Sequence, residues 1–171
     1  MDLYQKKYLK YKAKYQLLKN QYGGNKRIMA DLRRLEIEPI DGISIQPKDI
    51  HIQTAIINGP EGTPYEGYKW RIRLNYPQNY PFSSPTAHFI DRIFHPNVNY
   101  VDGETYVNMY EWVPTTRIGG TLIYIRSLLN NPRRDVTLNW EARNLYNDNR
   151  FEYNRRVREE SAIMKESQPE L

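Results

Sequence analysis

Between residues 68 and 74, large apolar side chains alternate with cations: Tyr68, Trp70, Ile72 and Leu74 against Lys69, Arg71 and Arg73. A repeat of two puts each set on its own face of an extended chain. This stretch therefore reads as a strand with one face in a core and the other in water, the hallmark of an antiparallel sheet. Its neighbours keep it short. Asn58-Gly59-Pro60-Glu61-Gly62-Thr63-Pro64 precedes it, and Tyr76-Pro77-Gln78-Asn79-Tyr80-Pro81-Phe82-Ser83-Ser84-Pro85 follows. Both are too rich in turn formers for regular structure. Further strands are expected over 43–45, 51–58 and 86–90, and short strands joined by tight turns form a meander.

Elsewhere the apolar period is helical. Ile28, Leu32 and Leu35 fall at i, i+4 and i+7, and Pro39 and Gly42 end that segment. Leu122, Ile125 and Leu129 share a face that Ile123 and Leu128 widen, until Asn130-Asn131-Pro132 stops the helix. Asn139 is expected to cap a helix running through Tyr146. A last, charged helix is expected over 149–166, touching the core through Phe151, Tyr153, Val157 and Met164. The class is α+β: a four-stranded antiparallel meander with an N-terminal helix, and C-terminal helices gathered to one side.

Charge divides the chain. Residues 1–34 hold ten Lys/Arg and two Asp, a surplus of +8, whereas residues 35–171 hold fifteen Lys/Arg and eighteen Asp/Glu, or −3. The expected organisation is a basic arm over 1–24, a core domain over 25–166 and a tail over 167–171. In the arm, Tyr4, Tyr8, Tyr11, Tyr15, Leu18 and Tyr22 repeat every 3.5 residues among lysines, one aromatic seam on a basic helix ended by Gly23-Gly24. Nucleic acid or membrane would be met only through this arm. It is similar to Tyr/Lys-rich N-termini on proteins of large DNA viruses, a likeness that would imply a host cytoplasm or virion. The first residues lack the apolar core of a secretory signal and no apolar run is long enough to span a bilayer, so an intracellular protein is expected. The sequence contains no cysteine, which excludes disulfides, zinc–thiolate sites and thiol chemistry. No metal and no cofactor is expected.

Residues 93–106, Ile-Phe-His-Pro-Asn-Val-Asn-Tyr-Val-Asp-Gly-Glu-Thr-Tyr, form a long irregular stretch carrying His, aromatic and hydroxyl groups, the kind of loop on which function resides. Asn97 beside Pro96 has a sufficient structural role as a turn former.

The ordered corners of the chain resemble the ubiquitin-conjugating (E2, UBC) family. They are Gly59-Pro60-x3-Pro64-Tyr65-x-Gly67, Tyr80-Pro81-Phe82-x2-Pro85, His95-Pro96-Asn97, Trp112-x-Pro114, and Ser127-Leu128-Leu129 with Asn131-Pro132. The likeness covers about residues 26–160 and implies the UBC fold. In that family a Gly-x-x-Cys segment follows the His-Pro-Asn turn, and its cysteine carries ubiquitin as a thioester. Here Gly103-Glu104-Thr105 leads to Tyr106, and the spacing from Asn97 is one residue longer. A phenol has a reference pKa of about 10 against about 8.5 for a thiol, and thiolates are far stronger nucleophiles. Tyr106 is therefore expected to plug the groove rather than carry ubiquitin, which leaves Asn97 without a thioester to assist. The resemblance puts an acidic gate near Asp135. It puts ligase contacts at Phe82 and Pro114, and activating-enzyme or ligase contacts at Lys26, Arg27, Arg33 and Arg34. Phe82 has an alternative, packing on Tyr80 or Trp112. The implied partners are ubiquitin or a ubiquitin-like protein, a ligase, and an activating or an active conjugating enzyme. Three functions are expected in descending order: a non-catalytic variant, a transferase using a non-cysteine route, and a body tethered by its arm to an anionic surface.

Overall fold

In a computed structural model that describes residues 26–47, 49, 51–106 and 112–168, Lys69–Asn75 is the middle strand of a five-stranded sheet. Strands β1 (Ile43–Pro47), β2 (Ile52–Asn58), β3 (Lys69–Asn75), β4 (Thr86–Phe89) and β5 (Glu104–Thr105) pair antiparallel in sequence order. The period of two does what the sequence demands: Trp70, Ile72 and Leu74 are fully buried, while Lys69 and Arg73 face solvent. Register sets Ala55, Ile72 and Phe89 abreast on the inner face, and Gln53, Leu74, Ala87 and Thr105 in the next row. Fully burying side chains of this size contributes roughly 1.5–3 kcal/mol each, so these rows hold the sheet to the helices.

Among the described residues, four helices cover the sheet's surroundings: α1 (Lys26–Ile37), α2 (Ile118–Asn130), α3 (Trp140–Asp148) and α4 (Arg150–Ser167). Ile28, Leu32, Leu122, Ile125 and Leu129 are buried as their spacing predicts. Asn139 caps α3 by accepting from Ala142 N–H, and Asn149 caps α4 by accepting from Glu152 N–H.

The fifth strand is an addition to the predicted meander. It has two residues, too few to show a period, and it forms because the chain turns at Gly103 (φ +75°) back alongside Phe89. Two expected core contacts are also corrected. Ile123 lies exposed on α2, and Phe151 is 80% exposed on α4, because the second row of an apolar face finds no neighbour to cover it. Helix α4 ends at Ser167, one residue into the segment read as a tail. The arm and its tyrosines lie outside the described residues.

A buried carboxylate ties the proline-rich end together. Asp31 on α1 accepts from Tyr80 Oη (3.2 Å), Arg27 Nε (3.1 Å), Arg117 Nη1 (3.3 Å) and Ile118 N–H (3.4 Å). Trp112 Nε1 donates to Pro81 O, and Arg27 Nη2 donates to Thr115 O and Thr116 O. The loops 76–85 and 112–117 are thereby clamped to each other and to α1.

Candidate functional site

His95 is fully buried below the sheet's edge. Its Nδ1 accepts from Asn97 N–H (3.0 Å), which leaves Nε2 as the protonated nitrogen donating to Leu128 O (2.9 Å). Burial, assisted by the charge of Arg143, pulls its pKa down to about 4, although the bond to Leu128 O opposes this. His95 is therefore a neutral pin between the turn and α2.

Asn97 commits its whole amide to a second loop. Nδ2 donates to Arg133 O (2.8 Å) and Val136 O (2.6 Å), and Oδ1 accepts from Arg133 N–H (2.7 Å). Its own carbonyl accepts from Thr105 Oγ1 (3.0 Å). Pro96 O takes the N–H groups of Leu138 (2.9 Å) and Asn139 (3.2 Å). Beneath the same loop, buried Arg143 donates from Nη2 to the very carbonyls that Asn97 uses, Arg133 O and Val136 O, and from Nε to Thr137 Oγ1 (3.3 Å). Burial holds this guanidinium below its ordinary pKa, and Nη1 has no hydrogen-bond partner among the described residues. The His-Pro-Asn turn and the loop 133–139 thus form one hydrogen-bonded body.

Tyr106 follows from the sheet. Thr105 closes the inner row, so the next residue points the other way, and Tyr106 is 40% exposed. Asp135 is exposed and forked onto Arg133 (Nη2–Oδ2 2.5 Å, Nε–Oδ1 2.9 Å), and that hydrogen bonding keeps its carboxyl below the usual range. In this arrangement Asn97's amide bonds backbone of the loop 133–136 and Asp135 is paired with Arg133.

The outer half of the central stretch is held by α4. Tyr65 Oη donates to Phe94 O (2.8 Å) and meets Tyr153 Oη at 2.6 Å, both hydroxyls buried. Tyr100 Oη donates to Glu160 (2.9 Å), Arg92 lies 4.1 Å over the Tyr100 ring, and Arg156 bridges Glu160 and Glu141.

The remaining expected contact residues divide. Phe82 is 77% exposed, so it is not buried against Tyr80 or Trp112, whose own rings lie 5.9 Å apart at a 46° tilt. Pro114 and its neighbour Val113 are exposed beside it. Lys26 and Arg33 face solvent and Arg34 pairs with Glu38, but Arg27 turns inward to Asp31. Thr105, Arg133, Arg143 and Asp31 escaped sequence reading. Arg143 left one weak signal, a cation on the helical face that Ala142 and Tyr146 share. Among the described residues no three His, Asp or Glu side chains group as metal ligands, and no helix is long and apolar enough to cross a membrane.

The family model for ubiquitin-conjugating enzyme matches residues 27–161. The chain is 40% identical over 138 residues to Ubiquitin-conjugating enzyme E2 2 of Neurospora crassa, which spans 78% of this chain and 91% of that relative. The protein of the same name in Fusarium solani gives the same figures. Ubiquitin-conjugating enzyme E2 3 of Arabidopsis thaliana is 39% identical over 136 residues, covering 77% of this chain and 90% of its own.

Proposed function

This chain belongs to the ubiquitin-conjugating enzyme family, and we propose that it serves ubiquitin conjugation as a non-catalytic member, binding ubiquitin, a ligase or an active conjugating enzyme without forming a thioester itself. One observation carries the reading: the sequence has no cysteine, and by the resemblance Tyr106, 40% exposed, falls where the family's nucleophile would be. The surroundings support it. The groups that would assist transfer, Asn97 and Asp135, are engaged in holding loop 133–139 together.

Binding is supported by the exposed Phe82, Val113 and Pro114, apolar tips on loops fixed from behind by Trp112 and Asp31. Such preorganised apolar anchors favour protein recognition.

The test is incubation with activating enzyme, ATP and labelled ubiquitin. The natural sequence is expected to yield no covalent adduct, while Tyr106→Cys yields a thiol-labile one. An adduct on the natural sequence that disappears in Tyr106→Phe would instead establish the transferase reading. The charge partition supports a subsidiary reading, with the arm tethering the body to an anionic surface. Deleting residues 1–24 should then abolish salt-sensitive binding to anionic vesicles or DNA and leave ubiquitin or ligase binding unchanged.

A further inference from the structure

Of the nine tyrosines among the described residues, only Tyr106 is exposed. The others are buried or half-buried, and most spend their hydroxyls inside the fold. Tyr65 and Tyr153 bond each other, Tyr80 donates to Asp31, and Tyr100 donates to Glu160. Tyr124 Oη accepts from Arg133 Nη1 (3.4 Å). The Tyr106 hydroxyl has no hydrogen-bond partner among the described residues. Thr105 beside it is no competitor, being buried with its Oγ1 committed to Asn97 O.

The backbone that presents Tyr106 is anchored and extended. Thr105 pairs with Ala87 on β4 and bridges to Val98. Asn99 N–H donates to Glu104 O (2.9 Å), Gly103 N–H to Asn99 O (2.9 Å) and Phe89 N–H to Gly103 O (2.8 Å). An enzyme that takes this segment therefore pays little to order it. Asp102 and Glu104, four and two residues upstream, are both exposed, and neither joins an ion pair among the described residues. The Glu104 N–H donates to Asp102 Oδ1 (2.9 Å), which fixes the turn carrying the two carboxylates. Two unpaired carboxylates beside an accessible phenol complement a cationic groove. The tyrosines of residues 1–24 differ in this respect, since they stand among lysines in the sequence.

We propose that Tyr106 is a phosphate acceptor, modified by a tyrosine kinase with a cationic substrate groove and ATP as donor. In the step, Tyr106 Oη attacks the γ-phosphorus of ATP. The phenol O–P bond forms, the bond from the γ-phosphorus to the β–γ bridging oxygen breaks, ADP leaves, and the phenolic proton passes to the kinase's base. The product adds nearly two negative charges beside Asp102 and Glu104, making a patch of about four. Nothing in the step draws on the proline loops, so it stands or falls apart from ligase binding.

The experiment incubates the whole chain with magnesium, ATP and an isolated tyrosine kinase domain whose groove is lined with lysine and arginine. Tandem mass spectrometry maps the phosphate, and on the natural sequence most of it is expected at Tyr106. Y106F should lower incorporation at least about tenfold, while Y100F and Y124F leave it unchanged. D102N/E104Q should lower kcat/KM for the phosphorylation about tenfold. D102N keeps an oxygen for the Glu104 N–H, so the turn is retained. Phosphate mapped chiefly to another tyrosine, full incorporation in Y106F, or none in the natural sequence would overturn the proposal. An unchanged rate in D102N/E104Q would overturn recognition through the carboxylates.

Discussion

Two side chains, Asn97 and Arg143, share the carbonyls of Arg133 and Val136, and that sharing has an energetic signature. Removing Asn97 orphans the Arg133 N–H but leaves both carbonyls a donor in Arg143. Removing Arg143 leaves them Asn97. An unsatisfied buried group costs about 1–3 kcal/mol, so Asn97→Ala is expected to destabilise by about 1–2 kcal/mol in urea denaturation. The double variant with Arg143→Ala should exceed the sum of the singles by about 1 kcal/mol, since only then are the carbonyls stranded. Strict additivity would mean the two donors do not back each other up. His95 supplies a pH test. Its folded pKa, about 4, lies below the ordinary imidazole value of 6.5, so between those values the unfolded chain binds a proton that the folded one refuses. Stability is therefore fully present above about pH 6.5, falls as pH drops towards 4, and levels off below, a loss on the order of 3 kcal/mol. In His95→Gln, which can still donate to Leu128 O, the stability profile between pH 5 and 6.5 should flatten.

The element that turns a meander into a site is β5, and it depends on Gly103. A Cβ there would collide with Phe89 O, on a backbone already at φ +75°. Gly103→Ala should cost roughly 2–4 kcal/mol and release Thr105 from Asn97 O. Gly67 has a similar φ of +83° but nothing within 4 Å of its would-be Cβ. Gly67→Ala is expected to cost only about 1 kcal/mol, the conformational part alone. Thermal denaturation of the pair separates strain from collision. The same elements mark how far the sequence could be read. Strands β2 to β4 and the four helices are legible because each carries several turns or alternations of its own period. A two-residue strand carries none. Periodicity also names a helix's apolar side without naming what covers it: Ile125 is buried, whereas Ile123 and Phe151, in the second row of their faces, stand in water. At the site, His95, Asn97 and Tyr106 were legible as a family pattern. Arg143 and Asp31 were not, because nothing local distinguishes a buried charge from a solvated one until the loops they bind are folded over them.

Over the molecule as a whole, the proline loops have a clamped part and an exposed part, and on the proposed function only the exposed part would recognise a partner. Trp112 donates to Pro81 O and lies at a tilt against Tyr80, whose hydroxyl reaches buried Asp31. Phe82, two residues along from Tyr80, is 77% exposed. Its removal takes away little that is buried, so Phe82→Ala should shift the melting temperature by no more than about 2 °C, within the range of ordinary surface substitutions. The same change removes an apolar anchor presented without loop-ordering cost, and binding to a ligase domain or charged conjugating enzyme should weaken about tenfold or more. Trp112→Ala should behave differently, lowering stability and binding together, since it unfastens the loop that presents Phe82. Isothermal titration beside differential scanning calorimetry on the two variants reads both quantities. If Phe82→Ala melts as early as Trp112→Ala, or binds as tightly as the natural sequence, the division between clamp and contact is wrong, and the docking surface lies elsewhere on the body.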